Sequence, residues 1–342
     1  LYVRYYMRKK YYFILNPAAG QGKALDLRDS IEEIAKKANL DFEIYETKEE
    51  LDGQVITGDF AKLKDDDCSI RIYACGGDGT LNEIINGVIG FDNVEIGIIP
   101  TGTGNDFIRN FAREELFNDI KAQINGDSIE VDTIRYRYYK NDYSQERYCI
   151  NMFNIGFDST VVEKAGNLKK LPGISGNFAY TLGVAGTLLE KKAIDIAVVR
   201  KSKGKGDFNE IVDDSNHAKN YEKHVLFDGK ALLTAIGNGC FCGGGIKALP
   251  KASCTDGLMD VGIVKNCKRR EVAQLFGKYK KGEHLNTKLG KKLVTYVQTD
   301  NLIIKSNGMG DLLVSVDGEL ERADWLEAVM EPKSIKFIVP KR

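Results

Sequence analysis

The sequence lacks a net charge of either sign, and it lacks long apolar runs. Lys plus Arg number 49 among 342 residues, and Asp plus Glu also number 49. This balance gives no support to a nucleic-acid partner, because nucleic-acid-binding domains usually carry a basic excess. No apolar run reaches the ~18 residues that can span a bilayer, and residues 1–10 lack the apolar core of a signal peptide. We therefore expect a cytoplasmic protein.

Proline and histidine are scarce too, with 6 and 3 residues, and the 7 cysteines are odd in number. Most of the cysteines lie in apolar or glycine-rich stretches, which is typical of reduced thiols in a cytosolic protein. Cys240 and Cys242 have a spacing that could hold a metal. No second cysteine pair or histidine cluster accompanies them, so the pair does not by itself indicate zinc.

The length favours two domains, and the first third of the chain alternates between strands and helices. Strands are predicted at Tyr11–Leu15, Phe42–Tyr45, Ile70–Cys75 and Glu95–Ile99. Helices are predicted over 27–38, over Thr80–Val88 with Thr80 and Glu83 as a capping box, and from Asn105 to Phe111. Repeated strand–loop–helix units predict an α/β domain with a three-layer, parallel sheet over residues 1–128.

The pattern changes near Gly126, where helices become rare. Strands are predicted over 129–139, 147–157, 193–200, 208–213, 231–236, 258–264, 294–305 and 312–316, with helices over 177–190 and 269–279. This pattern predicts a β-rich sandwich domain over residues 129–331. The strand predicted at Ser334–Val339 is expected to return to the first domain, within residues 332–342.

Glycine-rich turns follow strands of the predicted sheet. Gly76-Gly77-Asp78-Gly79-Thr80 and Pro100–Phe107 each lie between a strand and a helix, and Asn16–Gly20 ends the first strand. Glycine lets the backbone approach phosphate closely, and a helix N-terminus beyond it favours an anion. Because open α/β sheets bind ligands at the carboxyl ends of their strands, these turns predict a nucleotide site. Asp78 would be costly there unless it faced a cation such as Mg²⁺ with ATP.

These residues resemble the diacylglycerol kinase catalytic domain family, which includes bacterial diacylglycerol kinases and the sphingosine and ceramide kinases. The likeness runs through Asn16–Gly20, residues 76–83 and residues 100–107. It continues through Asn151–Asp158, residues 238–260 and Asp317–Glu319, in family order. The motif at 76–83 is shared with NAD kinases, whereas the later motifs favour lipid kinases.

The resemblance implies a role for each matching residue. Contacts to ATP would come from Asn16, Pro17, Ala18, Ala19, Gly20, Thr47, Gly76, Gly77, Asp78, Gly79, Thr80, Leu81, Asn82 and Thr103. Ser253 and Leu258, through carbonyls, and Asp256, through its carboxylate, would hold Mg²⁺ that a water links to Asp78. Asp317 and Glu319 would activate the acceptor hydroxyl, with Glu319 as proton acceptor and Asp78 as a further catalytic group.

Simpler interpretations stand beside these roles. Asp256-Gly257 and Asp317-Gly318 are each typical of a hairpin turn. A small-molecule kinase like the NAD kinases, or a non-catalytic nucleotide or lipid sensor, could share the same fold. The expected reaction is ATP- and Mg²⁺-dependent phosphorylation of a lipid hydroxyl, with diacylglycerol giving phosphatidic acid as the default. The sequence names neither the lipid nor the oligomeric state, although a homodimer is the commonest alternative to a monomer.

Residues 265–292 carry ten basic and two acidic side chains, a local net charge of +8. Val272, Leu275 and Phe276 give this segment an apolar helical side. A basic amphipathic helix can lie on an anionic membrane, which would make the protein peripheral to the membrane of its lipid substrate. Alternatively, the basic side faces water while the apolar side packs on the core. Residues 201–220 are longer and more charged than the family resemblance leads us to expect.

Overall fold

The computed structural model describes residues 8–62, 68–140, 143–156, 193–200, 224–308 and 311–341. Contacts divide these residues into two compact units. The first unit contains the chain up to Thr133 together with the segment from Pro332 onward. The second unit is Ile134–Glu331, so the chain passes from one unit to the other twice.

The first unit alternates between strands and helices, as the sequence predicts. Its main elements are β1 (Arg8–Leu15), α1 (Leu27–Lys37), β2 (Asp41–Glu46), α2 (Asp52–Lys62), β3 (Cys68–Gly76), α3 (Asp78–Val88), β4 (Val94–Pro100) and α4 (Ile120–Ile124). Short 3-10 helices lie at Ala19–Gly22, Phe107–Asn110 and Glu114–Asn118.

Five strands of the first unit pair in parallel. Their order is β2-β1-β3-β4, followed by the last part of β15 (Trp325–Val339), where Lys336 and Phe337 pair with β4. Strand β15 also pairs with β5 (Asp127–Lys140). Phe13, Tyr73 and Ile338 belong to the buried core of the first unit. Strands that run parallel and are buried on both faces are rich in apolar residues without strict alternation, which is why β1, β3 and β4 could be predicted.

Two helices of the first unit differ from the prediction. The capping box at Thr80 and Glu83 is wrong, because α3 begins at Asp78 with Gly77 as its N-cap. The Glu83 carboxylate instead accepts from the backbone N–H of Gly53 at 3.1 Å. The predicted helix at Asn105–Phe111 is only a 3-10 turn over Phe107–Asn110.

Helix α2 was not predicted, because two glycines weaken its helical pattern. Gly53 and Gly58 are buried, and a Cβ at Gly58 would come within 3.1 Å of the Gly87 carbonyl oxygen. Glycine therefore lets α2 pack closely on α3. Because glycine has a low helix propensity, the same residues made α2 hard to predict from the sequence.

The second unit is β-rich. Its strands are β5 (Asp127–Lys140), β6 (Tyr143–Cys149), β7 (Met152–Gly156), β8 (Ile194–Val199), β9 (Val225–Gly237), β10 (Met259–Lys265), β11 (Val294–Thr299), β12 (Asn301–Ser306), β13 (Leu312–Val316), β14 (Glu319–Ala323) and the first part of β15. Helices α5 (Arg269–Lys280) and α6 (Lys288–Leu293) follow β10, with a 3-10 turn at His284–Asn286 between them.

Antiparallel pairing dominates the second unit. The order is β14-β13-β7-β9-β8-β12-β15, and β10 pairs with both β9 and β11. One core contains Phe153, Ile236 and Val314, and a second contains Met152, Leu233 and Leu249. Neighbours along β7, Met152 and Phe153, thus point into different cores, as alternation along a strand requires. The predicted fold class, an α/β domain with a β-rich domain, is confirmed.

Several strand boundaries differ from the prediction. The strand predicted over 147–157 is divided, because β6 ends at Cys149 and β7 starts at Met152. The strand predicted over 294–305 is divided at Asp300 into β11 and β12. Strand β14 was not predicted. The elements predicted over 177–190 and 208–213, and the segment 201–220, lie outside the described residues.

The basic segment 265–292 uses its apolar side within the protein. Leu275 and Tyr279 are buried in the core that contains Leu249, and Val272 packs with Leu293. All ten basic side chains are exposed. In the part of the chain that the structure describes, no helix combines the length and the apolar character needed to cross a bilayer.

Candidate functional site

Three turns of the first unit meet where neighbouring strands end. We name them the first loop (Asn16–Gly20, after β1), the second loop (Gly76–Thr80, after β3) and the third loop (Pro100–Phe107, after β4). Strand β3 lies between β1 and β4 in the sheet, so the second loop lies between the other two. Parallel strands place their carboxyl ends on one edge, which explains why segments distant in sequence meet there.

Hydrogen bonds join the first loop to the second. The Asn16 side chain donates from Nδ2 to Thr80 Oγ1 at 2.9 Å, and its Oδ1 accepts from the Ala18 N–H at 3.0 Å. The Asn16 N–H also donates to the Cys75 carbonyl at 3.1 Å. Asn16 is therefore fixed by three hydrogen bonds. Thr80 is positioned by its bond to the Asn16 side chain and by its place in α3.

The second and third loops are in backbone contact. The Thr101 N–H donates to the Gly76 carbonyl at 2.8 Å. A Cβ at Gly77 would come within 3.2 Å of Gly102 Cα. At Gly20, a Cβ would collide with the Thr101 carbonyl oxygen, so the first loop also touches the third. Any larger residue at these glycines would push the loops apart, which explains their glycine content.

Asp78 joins the second loop to the third through its side chain. Its Oδ1 accepts from the N–H of Asp106 at 2.9 Å and of Phe107 at 3.3 Å. Its Oδ2 would be 2.9 Å from a Cβ at Gly104, and Asp106 Oδ2 would be 3.3 Å from the same point. Two carboxylates thus lie near Gly104, and Arg109 supplies positive charge beside them, since its Nε is 3.5 Å from Asp106 Oδ1 and its Nη2 donates to the Gly104 carbonyl at 3.2 Å.

The remaining nucleotide-binding candidates are placed around this edge of the sheet. Leu81 and Asn82 are buried in α3, Thr103 is exposed in the third loop, and Thr47 donates its N–H to the Leu15 carbonyl at 2.9 Å. The Leu81 N–H is bound to the Gly77 carbonyl. Gly79 and Thr80 lie in the first turn of α3, whose N–H groups have no intrahelical acceptor and can bind an anion.

Two further polar groups of the third loop were not predicted as site residues. Thr101 Oγ1 and Asn105 Oδ1 are buried without a hydrogen-bond partner among the described residues. Asn105 also has a positive φ of 49°, and its Nδ2 donates to the Gly102 carbonyl at 2.8 Å. Unpaired buried oxygens at a loop that bends on glycine suit a ligand with donors of its own, such as a hydrated Mg²⁺. The Thr-Gly-Thr-Gly-Asn run was the available signal.

In the second unit, Asp317 and Glu319 lie on the hairpin between β13 and β14. Asp317 has a φ of 47° and Gly318 a φ of 97°, as in the two-residue turns that Asp-Gly favours. Asp317 is buried, whereas Glu319 opens β14 and is exposed. The hairpin that the sequence allowed as a simple interpretation is thus present, and it carries both carboxylates.

The Asp317 carboxylate lies against the turn between β6 and β7. Oδ1 accepts from the N–H of Asn151 at 3.0 Å and of Met152 at 2.9 Å, and Oδ2 accepts from the Ile150 N–H at 2.9 Å. The Cys149 thiol donates to Oδ1 at 3.2 Å. Burial, followed by the charge of Asp317, raises the pKa of Cys149, so the thiol keeps its proton.

The metal-ligand candidates lie together in a turn that leads into β10. Asp256 is exposed, its Oδ1 accepts from the Leu258 N–H at 3.1 Å, and Gly257 has a φ of 74°. Among the described residues, no group of three or more His, Cys, Asp or Glu side chains could hold a metal. The candidate set, one carboxylate and two carbonyls, nevertheless offers the hard oxygen ligands that Mg²⁺ prefers.

Asp260, two residues after Leu258, is fully buried, and burial raises its pKa. Gln298 donates to its Oδ2 at 3.1 Å. Asp260 was not predicted as a site residue, because in the sequence it is an ordinary member of the strand β10.

Comparisons with known proteins agree along most of the chain. Residues 10–136 match the model of the diacylglycerol kinase catalytic domain, and residues 153–339 match the YegS C-terminal NAD kinase beta sandwich-like domain. A diacylglycerol kinase of Staphylococcus saprophyticus is 30% identical over 317 residues, which are 92% of this chain and 90% of that protein. One from Staphylococcus aureus strain bovine RF122 is 28% identical over 316 residues, 92% of this chain and 87% of that protein.

The fold is also similar to a solved structure. A crystal structure of a diacylglycerol kinase from Bacillus anthracis has a TM-score of 0.62 and 21% identity, with 96% of each chain covered. Identity at this level shows a shared fold. The two domain matches and the 30% identical relative show that this chain belongs to the diacylglycerol kinase family and is a lipid kinase.

Proposed function

We propose that the chain transfers the γ-phosphoryl group of ATP to the hydroxyl of diacylglycerol, with Mg²⁺ as cofactor, and so produces phosphatidic acid. The observation that carries this proposal is the meeting of the three loops of the first unit. Their glycines, the first turn of α3 and the Asp78 carboxylate provide what a triphosphate with a metal requires. Family relatives named diacylglycerol kinase support the choice of lipid.

The reaction assigns one task to each group. The lipid hydroxyl oxygen forms a bond to the γ-phosphorus while the bond from that phosphorus to its bridging oxygen breaks, and the hydroxyl proton passes to Glu319. An exposed carboxylate suits this task, because it can take a proton without leaving buried donors unpaired. The first, second and third loops hold the phosphates in place. Mg²⁺, when bound, neutralises charge on the phosphate oxygens, and Ser253, Asp256 and Leu258 fit a further Mg²⁺ site.

The direct test is an acceptor panel with Mg-ATP and product identification by mass spectrometry. The panel contains diacylglycerol, monoacylglycerol, ceramide, sphingosine and NAD. We expect phosphatidic acid as the main product. Phosphorylated NAD in place of a phosphorylated lipid would overturn the proposal, and a different phosphorylated lipid would correct its acceptor.

Variants assign the roles within this assay. Asp78→Asn keeps an Oδ1 that can accept from Asp106 and Phe107, so the third loop stays in place while the charge is lost. We expect it and Glu319→Gln each to reduce kcat by about 10²–10⁴. Asp59→Asn, an exposed carboxylate on α2 paired with Lys62, is the matched control and should leave the rate unchanged. A wild-type rate for Glu319→Gln would remove the proton-acceptor assignment.

We also propose that the exposed basic side chains of residues 265–292 contact anionic lipid, so that the enzyme binds peripherally to the membrane of its substrate. Since Leu275 and Tyr279 are already buried in the protein core, attachment is electrostatic and not by insertion of that apolar side. Each lysine near an anionic surface contributes about 1 kcal/mol. Lys278 pairs with Glu283 and Lys292 pairs with Glu271, so the variants below change other lysines of the segment.

Vesicle sedimentation tests the membrane proposal. Binding should rise with the fraction of phosphatidylglycerol in phosphatidylcholine vesicles and fall with added salt. The triple variant Lys280→Gln, Lys281→Gln, Lys291→Gln should bind ten- to a hundredfold more weakly. The control with equal charge loss, Lys36→Gln, Lys37→Gln, Lys62→Gln, should bind as wild type does. Equal binding by both variants, or binding insensitive to salt, would contradict the proposal.

A further inference from the structure

The Asp317 carboxylate accepts hydrogen bonds from four donors of the chain itself, three at Oδ1 and one at Oδ2. Three backbone N–H groups, from Ile150, Asn151 and Met152, and the Cys149 thiol donate to it. Its own N–H donates to the Met152 carbonyl at 3.0 Å. Four hydrogen bonds from consecutive residues therefore tie this carboxylate to the turn between β6 and β7.

The turn that Asp317 binds is itself bound to another segment. The Asn151 carbonyl accepts from the N–H of Asn238 at 2.9 Å and of Gly239 at 3.1 Å. The Asn151 Nδ2 donates to the Phe241 carbonyl at 2.9 Å, and the Asn238 Nδ2 donates to the Ile150 carbonyl at 2.9 Å. Residues 238–241 begin the loop that runs to Asp256 and β10.

A continuous set of hydrogen bonds therefore runs from the β13–β14 hairpin, through the Ile150–Met152 turn, to the loop after β9. One end of this set carries Glu319, two residues beyond Asp317, and the other leads to Asp256. Backbone groups dominate it, and most of its members are buried: Asn151 is 5% exposed and Asn238 0%. The hydrogen bonds of this set join the three segments inside the protein, where each bond is stronger than it would be in water.

We propose that Asp317 is a positioning residue and not a proton acceptor. Its carboxylate fixes the Ile150–Met152 turn, and through that turn it holds the hairpin of Glu319 and the loop of Asp256 in register with each other. The inference rests on the proposed function only in giving Glu319 and Asp256 their chemical roles. The hydrogen-bond link itself is independent of them.

Hydrogen exchange of Asp317→Asn tests the link without any assay of activity. The side-chain amide has the shape of the carboxylate, but its NH₂ group cannot accept from the Ile150 N–H. We expect exchange at Ile150, Asn151 and Met152 to accelerate at least tenfold, and exchange at Asn238 and Gly239 to accelerate with it. Asp311→Asn, an exposed carboxylate one residue before β13, is the charge-matched control and should leave all five amides unchanged. Unchanged protection at Asn238 and Gly239 in Asp317→Asn would overturn the link.

The pH dependence of kcat separates positioning from proton transfer. Asp317→Asn should lower kcat by ten- to a hundredfold and keep the acidic limb of the wild-type profile. Glu319→Gln should lose that limb. If Asp317→Asn lost the limb and Glu319→Gln kept it, Asp317 would be the proton acceptor and the proposal would fall.

A second variant keeps the proposal testable if Asp317→Asn does not fold. Asn151→Ala removes the side-chain bond to Phe241 and leaves all four donors to Asp317. It should lower kcat with the acidic limb retained, and accelerate exchange at the Phe241 end of the loop. A wild-type kcat with wild-type protection would overturn the link. If exchange behaves as expected while no lipid is phosphorylated, the positioning role stands and the proposed function fails.

Discussion

Gly20 and Gly22 have the same backbone requirement but different surroundings. Gly20 has a φ of 60° and Gly22 a φ of 92°, so a side chain would be strained at both. Only Gly20 faces another loop, since a Cβ there would collide with the Thr101 carbonyl, whereas nothing lies within 4 Å of a Cβ at Gly22. Substitutions at Gly20 and Gly22 can therefore distinguish the effect of backbone strain from the effect of contact between the loops.

We expect Gly22→Ala to lower the free energy of unfolding by about 1 kcal/mol, and Gly20→Ala by about 2–3 kcal/mol, because only the latter also displaces the third loop. Gly20→Ala should in addition weaken ATP binding at least tenfold. Urea unfolding and isothermal titration with ATP measure both effects. Equal losses in the two variants would show that the contact between the first and third loops has no energetic weight.

For single residues, the sequence allowed the site residues to be predicted but not their hydrogen-bond partners. Asn16, Asp78 and Asp317 were each selected, yet nothing in the sequence shows that Asn16 binds Thr80 or that Asp317 binds the Ile150–Met152 turn. Such partners are up to 168 residues apart. Thr80 carried a plausible capping signal, but the side chain points to Asn16 instead, because a tertiary partner competed with the local one.

Among the elements, the last part of β15 depends on one aromatic cluster. Phe337 is fully buried, and its ring centroid lies 5.1 Å from that of Phe107 and 5.3 Å from that of Phe111. The cluster joins the third-loop side of the first unit to the strand that pairs with β4.

We expect Phe337→Ala to lower the free energy of unfolding of the first unit by about 3–5 kcal/mol, because it leaves a cavity among the rings. Phe337→Leu fills most of that cavity and should cost less than about 1.5 kcal/mol. Urea unfolding of both variants checks this. Equal effects would mean that ring volume does not hold this strand.

The 3-10 turn between α5 and α6 contains a buried histidine. His284 is 1% exposed, its ring lies 4.7 Å from the Tyr279 ring, and burial lowers its pKa from 6.5 to about 4. Neither ring nitrogen has a hydrogen-bond partner in the described part of the chain. The neutral form is therefore the one that the folded protein holds.

Because the unfolded chain takes up this proton more readily, stability is fully present above about pH 6.5 and is lost as the pH falls towards 4, by roughly 2 kcal/mol at pH 5 and roughly 3 kcal/mol at pH 4. His284→Leu should remove that part of the pH dependence, whereas His224→Asn should keep it. Urea unfolding at pH 7.5 and pH 5.0 makes the comparison. A His284→Leu variant with the wild-type pH dependence would contradict this assignment.

Strands and helices with a regular apolar pattern could be predicted from the sequence, but the breaks within them could not. The break between β6 and β7 falls inside an apolar run, and only the backbone bonds to Asp317 explain it. The break at Asp300 and the glycine-rich helix α2 went unrecognised for similar reasons: tertiary contacts, and not local propensity, decide them.

The whole molecule holds its single tryptophan in the second unit. Trp325 starts β15 and stacks on Tyr139 with ring centroids 3.5 Å apart, so its fluorescence reports on unfolding of that unit. The proposed ATP site lies in the first unit. Two units with separate cores need not unfold together.

We expect ATP at a hundred times its Kd to stabilise the first unit by about 2.7 kcal/mol and to slow hydrogen exchange in β3 about a hundredfold. The urea midpoint of Trp325 fluorescence should stay unchanged. A Trp325 midpoint that rises in step with β3 protection would show that the units unfold as one.

The passage of the chain between its two units has a consequence for synthesis on the ribosome. Lys336 bonds to the Asp92 carbonyl across 244 residues of sequence, beside the strand pair of β4 and β15. While the second unit is being translated, the nascent first unit therefore presents β4 as an open edge, with Phe107 lacking its Phe337 neighbour. Until the ribosome releases that segment, the sheet of the first unit is incomplete.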